Sequence, residues 1–209
     1  MKSLVHIIAI ILLATATLAG QAQTVADALK KMPQQLIINI DSIARLDMID
    51  LYEAGMTAQA RTLGGDTAHL TILGNTYLHM RTSKASTIQI KLLQQGRKTY
   101  YAVITTVEGP VANSHLQLYD ASWQTVGTKK KFTPLAIHDF IKTTDKKQRN
   151  AIAQEVVLHT IQYTMSEENS NITATPSFLL TLDEETRQRI KPHFHDTVVL
   201  QWNGRKWKK

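Results

Sequence analysis

The first third of the chain changes from a helical hydrophobic pattern to a strand pattern. Three apolar residues have the i, i+4, i+7 spacing of one helix face: Val25, Leu29 and Met32. This spacing predicts a short amphipathic helix over 24–32, which Pro33 ends. A second helix is predicted over 42–54, with Asp41 as its N-cap and Gly55 as its stop.

From residue 68 onward, apolar and polar positions alternate with period two. Strands are therefore predicted at 68–73, 77–81, 86–93, 99–108 and 114–119. The turns between them are too short for parallel crossovers, so neighbouring strands must be antiparallel. The fourth strand is apolar on both faces, which is typical of a central strand. The third alternates Ile88, Ile90 and Leu92 with Thr87, Gln89 and Lys91. We therefore expect the third strand to be half-buried, with its polar side chains in solvent.

The second half of the chain predicts two short helices first. Thr133 and Pro134 have the residue types of an N-cap and a first helical position, so a short helix is predicted to begin there. Asp145 is predicted to cap a further helix that runs to about residue 157.

A hairpin and a last helix follow. The segments 161–166 and 171–177 are predicted to pair across the polar stretch between them. The sequence TLDE, which begins at Thr181, fits a capping box and predicts a helix that ends before Pro192.

The closing sequence VVLQWNGRKWKK predicts a β-hairpin, because Asn203 and Gly204 tolerate the positive φ angles of a type I′ turn. A two-residue loop would pair Trp202 with Arg205 and Leu200 with Trp207. Both tryptophans would then lie on the buried face, and the lysines would face solvent. The alternative, an aromatic sugar-binding platform, requires exposed rings.

The first 22 residues have the composition of a secretory signal peptide. Lys2 precedes an apolar run, and small residues favour cleavage after Ala22 or after Gly20. An uncleaved membrane anchor is the alternative, but it needs about 20 mainly apolar residues, and threonines already dilute this segment. We therefore expect an exported protein in the periplasm or outside the cell, with 23–209 as the mature chain.

The composition of the chain indicates an ordinary globular fold. Cysteine is absent, which excludes disulfides, a thiolate nucleophile and cysteine-ligated metals. Hydrophobic residues make up 43% of the chain, enough for a sizeable core. The expected fold class is α+β, with antiparallel sheets, a few short helices and a terminal hairpin. One domain over 23–209 is expected, and two lobes that divide near 127–132 are the alternative.

The charge balance is basic, with a net charge of +7. For an exported protein this favours an anionic envelope polymer or a protein as the partner. Nucleic acid is not expected, because the basic run at 129–131 lacks interleaved aromatic residues. After the predicted signal peptide, no segment is long and apolar enough to span a membrane.

Several motifs together resemble one protein family. They are Met32-Pro33, RLDMIDLYEAGM at 45–56, LGG at 63–65, YLHMRTSKAST at 77–87, YDASW at 119–123 and the closing WNGRKW. The chain is similar in these stretches to a secreted family of unknown function that is confined to Bacteroidales. The resemblance implies a signal peptide, an α+β fold and a Gram-negative envelope setting. It implies no activity and no functional residues.

The candidate chemistry in the sequence is sparse. His193 and His195 form a His-x-His pair that could share a metal if it lay on a strand, but no third ligand is identifiable. A carboxylate set on the second helix fits a solvated face better than a site: Asp47, Asp50 and Glu53. The sequence contains neither the Gly-x-Ser-x-Gly nucleophile elbow of hydrolases nor a glycine-rich nucleotide-binding loop. No catalytic or cofactor-binding residue and no cofactor is therefore assigned.

Two functional hypotheses follow. The first is a non-enzymatic envelope protein that binds a protein or an anionic polymer through a sheet face or edge. The second is a hydrolase of envelope glycans or peptides, with carboxylates that the sequence does not identify. A concave pocket in which titratable side chains converge would favour the hydrolase.

Overall fold

A computed structural model describes residues 23–209, and the predicted signal peptide lies outside the described residues. The helices are α1 (Val25–Lys31), α2 (Ser42–Glu53), α3 (Lys146–Gln154) and α4 (Glu184–Ile190). The first six strands are β1 (Gln59–Arg61), β2 (Thr67–Leu73), β3 (Tyr77–Ser83), β4 (Ser86–Gln95), β5 (Lys98–Val107) and β6 (Asn113–Asp120). The last four are β7 (Gln162–Met165), β8 (Ile172–Thr175), β9 (Val198–Trp202) and β10 (Trp207–Lys208). The predicted α+β class is confirmed.

The strands form two antiparallel sheets. The large sheet has six strands in chain order, β1 to β6, and the small sheet has four in the order β10-β9-β8-β7. All five strands predicted between residues 68 and 119 are confirmed. The short β1 was missed, because three residues are too few to show a period. Whether the chain is one domain or two lobes stays a prediction.

The helices α1 and α2 cover one face of the large sheet. Thr24 caps α1 in a reciprocal capping box with Asp27, and Asp41 caps α2 as predicted. The buried Arg45 of α2 donates from its guanidinium to the carbonyl oxygens of Leu29 and Met32 at the end of α1. This arginine therefore joins the two helices and supplies hydrogen-bond donors to backbone carbonyls at the end of α1.

The opposite face of the large sheet packs against the small sheet and the segments around it. The core between them contains an aromatic cluster: Phe132, Phe140, Tyr163, Phe178, Phe194 and Trp207. Their rings meet edge-on, for example Phe132 and Tyr163 at 5.3 Å between centroids. Burial of these large rings supplies much of the hydrophobic stabilisation on this side.

The half-buried prediction for β4 is wrong, because its polar face is also covered. Gln89 is only 4% exposed, and Thr87 and Lys91 are buried as well. The Gln89 amide accepts from the Met165 backbone N–H at 2.8 Å and donates to the Tyr163 carbonyl at 3.3 Å. A side chain of β4 thus takes the place of a neighbouring strand along the free edge of β7.

Ser114 of β6 completes the same edge. Its backbone N–H donates to the Ile161 carbonyl, and its hydroxyl accepts from the Tyr163 N–H at 3.0 Å. The Lys91 ammonium donates to the Glu167 carbonyl just beyond β7. The small sheet therefore docks onto the large one through hydrogen bonds as well as through apolar contacts.

Two predicted helix starts in the second half are wrong. Thr133 and Pro134 lie outside any helix or strand, and a 3₁₀ turn begins only at Ile137. The Tyr163 hydroxyl accepts from the Leu135 N–H, which holds this segment against β7. Asp183, rather than Thr181, caps α4.

The other predictions in this half are confirmed. Asp145 caps α3, which ends slightly earlier than expected. The hairpin of β7 and β8 pairs Tyr163 with Ala174, and α4 ends before Pro192.

The terminal hairpin is confirmed with a different register. Trp207 pairs with Trp202, so the loop spans 203–206. The Asn203 carboxamide accepts from the N–H groups of Arg205 and Lys206, which stabilises the longer loop, and Gly204 takes a φ of 83°. A shift of two residues preserves the faces, because side chains alternate with period two.

The two tryptophans pack together on the buried side of this hairpin. Trp207 is 6% exposed and Trp202 is half-buried, with their rings 4.6 Å apart. The Trp207 indole N–H donates to the Ser170 carbonyl at 2.7 Å. The prediction that the tryptophan ring lies in the core is confirmed for Trp207. The alternative of a sugar-binding platform requires an exposed ring, which Trp207 does not have.

Candidate functional site: a polar cavity on the large sheet

A cavity of about 480 Å³ lies on the large sheet. We call it the polar cavity, and its lining is His69, Thr71, His79, Arg81, Lys84, Thr87 and Glu108. Strand register explains the grouping, because Arg81 of β3 pairs with His69 on one side and with Thr87 on the other. Directly paired residues in antiparallel strands project from the same face.

The polar cavity lies on the face that also receives the small sheet. The row of paired residues continues from Thr87 through Thr106 to Ser114, which bonds to β7. The small sheet covers the β6 side of this face, whereas the cavity lies toward β2 and β3. The polar cavity is therefore an uncovered part of a face that the small sheet covers elsewhere.

The orientation of His79 follows from its contacts with Thr71. The Thr71 hydroxyl lies 2.6 Å from His79 Nδ1 and 3.0 Å from the His79 carbonyl oxygen. A hydroxyl has one proton, and the carbonyl can only accept it, so we assign the Nδ1 proton to His79 as the donor to Thr71. The Nε2 atom is then left as the acceptor.

Burial lowers the pKa of His79, and Arg81 adds to this effect while Glu108 opposes it. The imidazole is therefore neutral at pH 7. Thr71 is not activated as a nucleophile by this arrangement, because its proton goes to a backbone carbonyl rather than to the ring.

Other members of the cavity differ in how fully they are already paired. Glu108 accepts a hydrogen bond from the Thr87 hydroxyl at 3.2 Å. The Lys84 ammonium lies 4.0 Å from the Asp66 carboxylate, and the Lys84 side chain is 91% exposed. Such an exposed pair contributes little stability and leaves the lysine available to other anions.

Arg81 is a charged member of the cavity without an internal partner. Its side chain is exposed, and within residues 23–209 no hydrogen bond or ion pair involves its guanidinium. A guanidinium offers five donors in a planar fork that matches a carboxylate or a phosphate. The cavity can therefore bind an anionic group directly at Arg81.

The predicted metal candidates do not lie in this cavity. His193 ends a 3₁₀ turn and is half-buried, whereas His195 is exposed and follows the buried Phe194. They do not lie on the strand that the metal hypothesis required. In the described part of the chain, no group of three or more His, Asp or Glu residues is arranged to hold a metal ion.

The predicted solvated face of α2 is confirmed, since Asp47, Asp50 and Glu53 are exposed.

The histidines that are isolated in the sequence are brought together in pairs. His69 and His79 share the polar cavity, and His115 and His159 line a second cavity. The sequence analysis did not predict these pairs. The available signal was the alternation of His69 with Thr71 and of His79 with Arg81 on two consecutive strands.

A model of the family described as "Protein of unknown function (DUF3256)" matches residues 17–207. The chain belongs to this family. The resemblance to a family of unknown function is thereby confirmed, while its secretion and its confinement to Bacteroidales stay predictions. Among curated proteins, none matches the chain.

One solved structure is similar over nearly the whole chain. It is the structure of a domain of an uncharacterized protein from Porphyromonas gingivalis W83, with 21% sequence identity and a TM-score of 0.78. The match covers 90% of this chain and 99% of the other. At this identity the likeness shows a shared fold only. None of the helices in residues 23–209 has the length and apolar character needed to cross a membrane.

Proposed function

We propose that the protein is exported to the envelope of a Gram-negative bacterium and binds an anionic polymer there without catalysis. The observation that carries this proposal is the unpaired guanidinium of Arg81 beside two imidazoles in the polar cavity. The basic composition of the chain supports this proposal, since it has 24 Lys and Arg residues but only 17 Asp and Glu residues. Repeated carboxylates or phosphates on an envelope polymer match this donor set.

Binding is tested by calorimetric titration of the chain over 23–209 with polygalacturonate and, separately, with polyphosphate. We expect Arg81→Gln to weaken binding at least tenfold, because it removes the bidentate donor. The matched control is Arg97→Gln, in the turn between β4 and β5, which removes the same charge outside the cavity. Equal losses in the two variants would mean that only net charge attracts the polymer, and the cavity would then have no role.

The pH dependence gives a second test of the same site. Because burial lowers the pKa of His79 from its ordinary value of 6.5, the ring gains its charge only below that pH. Binding should therefore strengthen as the pH falls from 7 toward 5, and less so in His79→Gln. An identical pH profile in this variant would remove His79 from the site.

Export rests on the amino-terminal segment and is tested separately. Sequencing of the protein purified from its host should begin at Gln23 or Gln21. Retention of Met1 on the exported pool would contradict the signal-peptide prediction.

A hydrolase is the second candidate, because His79 and Glu108 share one cavity. This convergence of titratable groups is the feature that an enzyme would need. Incubation with peptidoglycan should then release soluble fragments, and Glu108→Gln should abolish the release. Absence of product, together with intact polymer binding, would exclude the hydrolase for this substrate.

A further inference from the structure

Among the bonds that residues 23–209 make, the outer edge of β6 shows a gap. The Ser114 N–H donates to the Ile161 carbonyl, and the Leu118 N–H donates to the Thr128 hydroxyl. N–H and C=O groups alternate sides along an antiparallel strand, so those of Leu116 point to this same edge. Within residues 23–209, no hydrogen bond involves the Leu116 N–H or C=O on that side.

A cavity of about 300 Å³ lies against this gap. Its apolar walls are Leu116, Phe132, Pro134, Leu135, Ile161 and Tyr163. The gap from Ser114 to Leu118 spans four residues, or about 13 Å of strand. Space therefore exists for two or three residues of an added strand, with one side chain inside the cavity.

Apart from the Tyr163 phenol, the ionisable side chains of this cavity are basic. They are Lys129, His115 and His159, and among residues 23–209 no carboxylate side chain belongs to the lining. Lys129 is exposed and can reach an approaching ligand. Electrostatic complementarity therefore favours an acidic ligand over a basic one.

We propose that this edge binds an extended, acidic peptide segment by β-strand addition. One apolar residue of the peptide pairs with Leu116 through both its N–H and its C=O, and its side chain enters the cavity. An acidic neighbour lies against Lys129. A peptide is the fitting occupant, because a donor and an acceptor at backbone spacing match the paired groups of a single strand residue.

This site is separate from the polar cavity. The gap lies on the outer edge of β6, whereas Arg81 lies on β3, with β4 and β5 between them. Peptide binding and polymer binding can therefore succeed or fail independently.

The test is an NMR titration of the ¹⁵N-labelled chain over 23–209 with the peptide acetyl-Ala-Glu-Leu-Glu-Ala-amide. We expect a saturable shift of the Leu116 amide resonance, and loss of binding when the peptide leucine is N-methylated. Lys129→Glu should weaken binding at least tenfold. Lys130→Glu is the matched control, because it changes the same charge one residue away and outside the cavity lining.

Other outcomes would overturn the proposal. They are equal losses in the two lysine variants, unchanged binding of the N-methylated peptide, or no shift of the Leu116 amide. A shift of this amide by polygalacturonate would instead assign the edge to the polymer. Peptide binding should be unchanged in Arg81→Gln, so failure of this proposal is distinguishable from failure of the proposed function.

Discussion

Strand β4 gives apolar side chains to one face of the large sheet and polar side chains to the other, and both sets are buried. Under α1 and α2 the face is filled by apolar packing, with Ile90 fully buried. On the opposite face, Gln89 is almost as inaccessible, but it is hydrogen-bonded to the β7 backbone. Buried polar groups cost little when they are paired, so a polar alternation is compatible with two covered faces.

The largest expected effect tests whether the core between the sheets is as closely packed as the core under the helices. Trp207→Ala should lower the free energy of unfolding by about 3–5 kcal/mol, because it removes a buried ring and leaves the Ser170 carbonyl without its indole donor. Denaturant titration measures this. Trp202→Ala should cost less, since that side chain is only half-buried. A Trp207→Ala protein as stable as the parent would show that the rings are not part of the core.

A substitution on the face of the large sheet under α1 and α2 should lower the free energy of unfolding slightly less. Ile90→Ala should cost about 3 kcal/mol, from lost burial and the cavity left behind. The measurement is again the denaturant midpoint. A cost below that of a surface substitution, about 0.5 kcal/mol, would mean that the helices cover this face only loosely.

Gln89→Leu tests the comparison directly, since it places an apolar side chain on the face that packs against the small sheet. We expect a loss of about 2 kcal/mol, because the Tyr163 carbonyl and the Met165 N–H lose their partner while they remain buried. Gln94→Leu on the same strand is the matched control, because Gln94 is exposed, and it should change stability by less than about 0.5 kcal/mol. If Gln89→Leu stabilised the protein, hydrogen bonding would not be what holds β7 in place.

The smallest effect is a pH-dependent one at Tyr77, whose hydroxyl donates to Gln89 at 3.2 Å. At neutral pH, Tyr77→Phe should cost about 1 kcal/mol. Burial, with a smaller contribution from Glu167, raises the pKa of Tyr77 to about 12 from 10.0. The unfolded chain therefore loses this proton first, and stability falls as the pH rises from 10 to 12.

Tyr77→Phe should lack this part of the decline. The stability difference between parent and variant should therefore shrink above pH 10, as measured by urea unfolding at each pH. A constant difference across this range would mean that Tyr77 is not buried in the folded state.

The sequence predicted the local elements well, and the docking of the two sheets poorly. Period-two alternation located β2 to β6, and the capping residues Asp41 and Asp145 located two helix starts. Alternation identifies which residues share a face but not what covers that face, so Gln89 was assigned to solvent. For the same reason, sequence patterns could not bring His69 and His79 into one cavity. Pairing between strands depends on register, which single residues do not reveal.

The side-chain bonds that complete the β7 edge also have a consequence for the order of folding. The large sheet is a meander of neighbouring hairpins, whereas the small sheet joins residues far apart in the chain, such as Ile172 and Leu200. Local contacts form faster than distant ones. Since β4 and β6 supply the bonding partners of β7, we expect the meander to assemble first and to serve as the template for the small sheet. Pulse-labelled hydrogen exchange during refolding should then protect the amides of β4 and β5 before the amides of Tyr163 and Met165.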